Sequence, residues 1–238
     1  MSIDTVSIKR YIVSHGGGSG LKSDDEVSRD RGPRRRRRPE EAERAILAAA
    51  RAFLEERPFR EMTVEGVMVR TGLSRPAFYA YFEDRYDLVT RLIEGVGGLL
   101  FALDWRWLSG EESGDEAREV LVAALREGSQ TFVEYGPVLQ AIADAAGYDA
   151  RVEEVYRYGL IERLVAAVRA RIVRDAEAGV SPDELDPEQT ARALVLMTER
   201  YLLDAFGRPE RRPSRWEREA VFGTLEEIWV RTLYGPAD

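Results

Sequence analysis

The chain has 238 residues, enough to bury a sizeable core in one or two domains, and no cysteine, which excludes disulfides, thiol nucleophiles and thiolate metal sites. Its one histidine, His15, lies in a glycine-rich stretch, so a histidine metal site or a histidine-based triad cannot be assembled within the chain. The net charge of −8 is unevenly spread: Arg31 to Arg91 carries 14 basic against 10 acidic residues, and the rest is strongly acidic, as expected if only one end meets phosphate.

No apolar run approaches the ~20 residues needed to span a bilayer. The first residues hold an apolar patch far too short for a signal peptide. The expectation is a soluble, cytoplasmic chain with no membrane partner. Residues 1–38 combine Gly16-Gly17-Gly18-Ser19-Gly20 with scattered charge and no sustained period, and read as a disordered basic tail ending in RGPRRRRRP. Arg34 to Arg38 leave two readings open: a solvated tail, or an arm that follows a DNA backbone or enters a minor groove.

Residues 39–84 read as three helices. The first runs from Glu40 to Glu56, with Ala45, Ile46, Ala49, Ala50, Phe53 and Leu54 on one face. Thr63 is placed to cap a second, in which Val64, Val67 and Met68 recur at helical spacing. Gly72 can take the positive φ of a sharp reversal, and Ser74 is placed to cap the third helix, with Pro76 in its first turn. Two helices of about nine residues joined by a glycine-containing turn of about three have helix-turn-helix spacing.

Residues 85–238 read as a larger helical domain. A long helix from Arg85 to about Leu108 carries Leu88, Val89, Leu92, Ile93, Val96, Leu99, Leu100 and Leu103, interrupted by Gly95, Gly97 and Gly98, where a bend or a close helix contact is expected. Ser113 and Glu116 have capping-box spacing. Helices follow over 115–134, 137–146, 151–178 and 187–206, the last opened by Asp186-Pro187-Glu188-Gln189. Ser214 with Glu217 opens a final helix to Tyr234, expected to bury Trp216, Ala220, Leu225, Ile228 and Trp229. No segment reads as a strand, so the fold class is all-α, with about nine helices.

The segment TVEGVMVRTGLSRPAFYAYFEDRYDLV, Thr63 to Val89, resembles the DNA-binding signature of TetR-type transcriptional regulators: Thr63, Gly72, Leu73-Ser74, Phe78-Tyr79, Tyr81-Phe82 and Arg85 fall in that family's order. Leu194 to Phe206 and Glu227 to Gly235 are similar to the last two helices of the EthR-type subgroup. The resemblance implies a DNA-binding head on a ligand-binding, dimerising body, most often a repressor released by a small molecule.

The helix from Ser74 is then expected in a major groove of an operator. Arg75 can make a bidentate guanine contact, Ala77 and Ala80 offer apolar contact, and Tyr79 and Tyr81 carry hydroxyls suited to phosphate, as does Thr63. Arg85 stands where the family has Lys and is expected to clamp phosphate, while Tyr86 departs from the acidic residue common there.

The last two helices carry apolar residues beyond a single stripe, which leaves open a central core helix or a partner face; the resemblance implies a homodimer. It also implies a tunnel for a small apolar or amphipathic ligand. Thr198 falls where the subgroup has Asn, Val195 replaces a second polar residue, Glu199 and Trp229 match, Tyr156 stands in for one aromatic, and Val122 and Ser129 replace larger groups. Phe101, Trp105, Trp107 and Phe132 are either core or tunnel lining. No cofactor, metal or catalytic residue is expected: a carboxylate metal centre in a bundle needs Glu-x-x-His, and Glu153-Glu154 and Glu226-Glu227 read as solvated charges. The rival reading is a scaffold of this shape that has lost DNA binding and acts through protein contacts.

Overall fold

The computed structural model describes residues 39–102, 106–110, 114–182 and 185–235. The N-terminal tail with Arg34 to Arg38, Trp105 and the expected Ser113 cap lie outside them. The described residues are helical, without a strand. In chain order the helices are α1 (Pro39–Glu56), α2 (Val64–Thr71), α3 (Arg75–Phe78), α4 (Arg85–Ala102), α5 (Arg106–Ser109), α6 (Gly114–Ala146), α7 (Ala150–Glu153), α8 (Glu162–Glu177), α9 (Pro187–Phe206) and α10 (Arg215–Tyr234), with a 3₁₀ turn at Phe59–Glu61 and a π-helical segment, Glu154–Ile161, between α7 and α8.

The helix ends follow from local chemistry. Thr63 Oγ1 accepts from the Gly66 amide at 3.0 Å, and Gly72 ends α2 at φ +68°, a conformation that costs glycine little. Asp186 accepts from the Glu188 and Gln189 amides, and Ser214 with Glu217 forms a full capping box. At α4, Asp84 accepts from the Tyr86 and Asp87 amides at 2.8 and 2.9 Å, and Asp87 accepts in return from Glu83 N–H. The acidic help that Tyr86 cannot give at this helix start thus comes from Asp84 and Asp87.

Several expected elements differ. The stretches over 115–134 and 137–146 form one helix, α6, that runs through Pro137. A helix-interior proline costs about 3 kcal/mol, but buried residues on both sides of it, Leu121 and Leu125 before, Val138, Leu139 and Ile142 after, hold α6 in register. Gly136 seats the crossing with α9: a Cβ there would lie 2.2 Å from the Phe206 carbonyl oxygen. Gly95 and Gly97, where a bend or a close helix contact was expected, lie within α4, and a Cβ at either meets nothing. The helix from Arg85 is described to Ala102, and a separate short helix, α5, follows. On α10 the buried stripe is Phe222, Leu225, Trp229 and Leu233; Trp216 (78 % exposed), Ala220 and Ile228 (37 %) lie off it.

One apolar core joins head and body. Ile46, Phe53, Leu54, Met68, Phe78, Phe82 and Leu88 pack in the same cluster as Val138, Leu139 and Ile142 of α6, Val152 of α7 and Leu203 of α9. A second core gathers Trp107, Leu121, Val165, Ile172, Leu194 and Trp229 within the body, and a third lies between α9 and α10 around Leu202, Phe206, Phe222 and Leu225.

Candidate nucleic-acid interface and ligand cavity

In the head, α2 and the short α3 meet at the Gly72 turn. Helix α3 proper ends at Phe78, and Tyr79 to Tyr81 continue as turn, shorter than the helix the sequence suggests. Phe78 and Phe82 are fully buried, with rings 5.3 Å apart, and anchor this segment from below. Their spacing leaves Ser74, Arg75, Tyr79 and Ala80 on the exposed side, with Thr63 exposed at the start of α2. Arg75 Nη2 donates to the Tyr79 hydroxyl at 3.4 Å, one helical turn on. Ser74 makes no side-chain cap, contrary to expectation; its carbonyl accepts from Ala77 N–H instead.

Three expected DNA contacts sit differently. Ala77 and Tyr81 are half-buried and pack against the head's core, because they fall on the flank of the face that carries Phe78 and Phe82. Arg85 is partly buried: Nη1 donates to the Met62 carbonyl at 3.0 Å and Nη2 to the Tyr86 hydroxyl at 3.1 Å, with the guanidinium 4.8 Å from the Phe59 ring centre. It ties the start of α4 to the segment entering α2, a structural bond that the sequence did not signal.

The body holds a cavity of about 330 Å³ between α5, α6, the π-helical segment, α8, α9 and α10. Phe132, Tyr156, Thr198, Glu199 and Trp229 line it, together with Ser129 and Val195. Trp107, Leu160, Ile161 and Arg163 join them. Trp105 is outside the described residues, and of Phe101 only the backbone, in α4, is described. Leu160 and Ile161 escaped sequence reading because a π-helical register turns a different face inward from the one an α-period predicts.

The lining is apolar except at a few points. Trp229 Nε1 donates to Thr198 Oγ1 at 2.8 Å, and the Tyr156 hydroxyl donates to Glu199 Oε1. Burial, and then the negative charge of Glu199, push the Tyr156 phenol far above its ordinary range. Behind the wall, Trp107 Nε1 donates to the Tyr234 hydroxyl at 2.8 Å, and that hydroxyl donates to Asp175 Oδ2 at 2.9 Å. Arg171, 1 % exposed, bonds Asp175 with Nε and the Trp107 carbonyl with Nη1. Burial first, and then Asp175, raise the Tyr234 phenol to about 12. Among the described residues no group of His, Cys, Asp or Glu is arranged to hold a metal, and no helix is long and apolar enough to cross a membrane.

A helix-turn-helix head sharing its core with a helical body that holds an apolar cavity defines a DNA-binding transcriptional regulator. Residues 46–92 match the family model for bacterial regulatory proteins of the tetR family, and residues 121–235 that for the transcriptional regulator EthR, C-terminal domain. The HTH-type transcriptional regulator EthR of Mycolicibacterium smegmatis is 31% identical over 222 residues, covering 88% of this chain and 95% of that protein; EthR of Mycobacterium tuberculosis is 29% identical over 204 residues, covering 85% and 92%. Among solved structures, the TetR-family regulator PfmR of Thermus thermophilus has the same fold, with a TM-score of 0.62 at 21% identity over 82% of this chain and 96% of that one. The chain belongs to the TetR family, in its EthR-type branch.

Proposed function

We propose that this regulator binds its operator as a two-fold dimer, represses transcription there, and is released when a small apolar or amphipathic ligand fills the body cavity. The supporting observation is the path from cavity to head. Tyr156, Leu160 and Ile161 reach the cavity from the π-helical segment, which continues without a break into α7. There Arg151 bonds Glu83 and Asp84 at the start of α4, the helix that follows the head. A ligand that favours one arrangement of the π-helical segment shifts Arg151, and with it the spacing of two heads in a dimer. Release then equals the ligand's differential affinity for the two states, for which a coupling of ~1–3 kcal/mol gives about 5–150-fold.

In this reading residues 39–84 are the head and 85–238 the body. Arg75 reads a guanine edge, Ala80 offers apolar contact, and Thr63, Ser74 and Tyr79 meet phosphate oxygens. Arg85 acts chiefly by holding the head together, and Ala77 and Tyr81 by packing beneath it. So few base-reading side chains require a second half-site, and Leu196, Tyr201 and Ile228, apolar yet exposed on α9 and α10, supply a face for a second copy. Fluorescence anisotropy on the DNA flanking the protein's own gene tests the reading: it requires salt-sensitive, sequence-selective binding, and absence of such binding refutes it.

A further inference from the structure

The cavity's polar groups fix the kind of head group it accepts. Thr198 Oγ1 is occupied as an acceptor by Trp229. Ser129 is 2 % exposed, lines the cavity from α6, and its hydroxyl bonds no protein group among the described residues. Glu199 lines the cavity from α9, and its one partner among the described residues is the Tyr156 hydroxyl, so its carboxylate has no cation within ion-pair distance. Arg157 and Arg200 are close enough to be felt at Tyr156, but both are exposed, and Arg157 is paired with Glu153. Arg163 also reaches the lining, but from an exposed position and already engaged.

A carboxylate on an apolar wall with no counter-charge favours a cation that brings its own greasy body. We propose that the cavity selects amphipathic amines, whose protonated nitrogen donates to Glu199 while the hydrocarbon lies against Trp229, Leu125 and Val195. A ligand carboxylate is rejected by the same group, and a neutral alcohol binds through weaker, uncharged hydrogen bonds. The assignment rests on the cavity being the ligand site.

Calorimetric titration of the full chain with decylamine, decanol and decanoate at pH 7 and fixed ionic strength separates the two ideas. Decylamine is expected to bind at least about tenfold tighter than decanol, with decanoate weakest. Glu199→Gln keeps an oxygen to accept the Tyr156 proton, so it should bring decylamine down to the decanol level and leave decanol within about twofold of its original affinity. Decanol binding with no preference for the amine overturns the amine assignment alone, as does a preference that survives Glu199→Gln, since attraction to the acidic protein as a whole would then explain it. Tightest binding by decanoate overturns it too and assigns the head group to Arg163. Failure of all three to bind removes both this inference and the ligand-release reading beneath it.

Discussion

Arg151, on the body, donates to Asp84, the cap of the helix following the DNA-reading head, at 2.8 Å. The same guanidinium bonds Glu83 at 3.2 Å and Asp149 at 2.9 Å, so one side chain gathers three carboxylates from two parts of the fold. Single exposed ion pairs contribute little to stability, about 0–1 kcal/mol. The worth of this cluster lies in where it sits, three residues before the π-helical segment that lines the cavity.

Arg151→Ala should therefore uncouple more than it unfolds. Operator affinity without ligand and ligand affinity without DNA are each expected to stay within about threefold, while the ligand-induced loss of DNA affinity falls several-fold, a coupling free energy measured by the four-corner binding cycle. Unchanged coupling would show that the signal reaches the head by another route, through the shared apolar core.

The same variant has a signature in acid. Burial opposes ionisation of Asp84, but the bond from Arg151 and those from the Asp87 and Tyr86 amides outweigh it and hold the carboxyl below its ordinary 3.8; Asp149 is held low by Arg151 first, then by backbone amides. A lowered carboxyl contributes stability above its unfolded value, and that contribution is lost as pH falls through the folded one. Arg151→Ala should shift the acid-unfolding midpoint, followed by circular dichroism, to higher pH.

Arg75 and Arg85 should separate cleanly. Arg75→Ala is expected to relax preference at one base pair by ~1–3 kcal/mol with no change in melting temperature, because the side chain is exposed and bonded, among the described residues, only to Tyr79. Arg85→Ala should destabilise the protein by about 1.5–3 kcal/mol through loss of its charged bond to the Met62 carbonyl, weakening all sequences alike. Selection experiments on randomised half-sites, run beside thermal melts, distinguish them.

Much of this was legible in the residues. Caps at Thr63, Asp186 and Ser214 and the glycine at 72 mark helix ends by local chemistry, and local chemistry needs no partner to be read. What escaped depended on distant neighbours. Pro137 reads as a stop until the packing on both sides of α6 is known. The bond that Arg85 donates to the Met62 carbonyl, 23 residues away, has no local signal at all. Trp216 looks like core, and only the choice of Phe222, Leu225 and Trp229 as the inward stripe turns it to solvent. In the cavity lining, Tyr156, Thr198, Glu199 and Trp229 were named from the resemblance, whereas Leu160 and Ile161 sit in a π-helical register that no periodicity rule reports.

Gly136→Ala tests the α6–α9 crossing. The added methyl would meet the Phe206 carbonyl at a distance no real Cβ tolerates, and that oxygen is backbone, so the helices must separate. Overpacking of this kind costs about 1–3 kcal/mol. Gly223→Ala on α10, where a Cβ meets nothing, is the matched control and should leave the melting temperature unchanged or higher.

The network behind the cavity wall gives the last prediction. Asp175→Ala removes the carboxylate that the buried Arg171 Nε bonds, and removing one member of a buried pair costs about 3–5 kcal/mol. Tyr234→Phe is milder: it strips the acceptor from Trp107 Nε1 and one donor from Asp175, about 1–3 kcal/mol. The two should also differ in alkali. The Tyr234 phenol, ordinarily near 10.0, is raised to about 12 in the folded chain, so between these values the unfolded state releases a proton that the folded state keeps, and stability falls as pH rises through the window. Tyr234→Phe removes that contribution and should flatten the alkaline limb of the urea-unfolding profile, while Asp175→Ala lowers the whole curve. If Tyr234→Phe leaves the alkaline slope as steep as before, the raised phenol is another one, and Tyr156, shifted the same way against Glu199, is the residue to test by Tyr156→Phe in the same measurement.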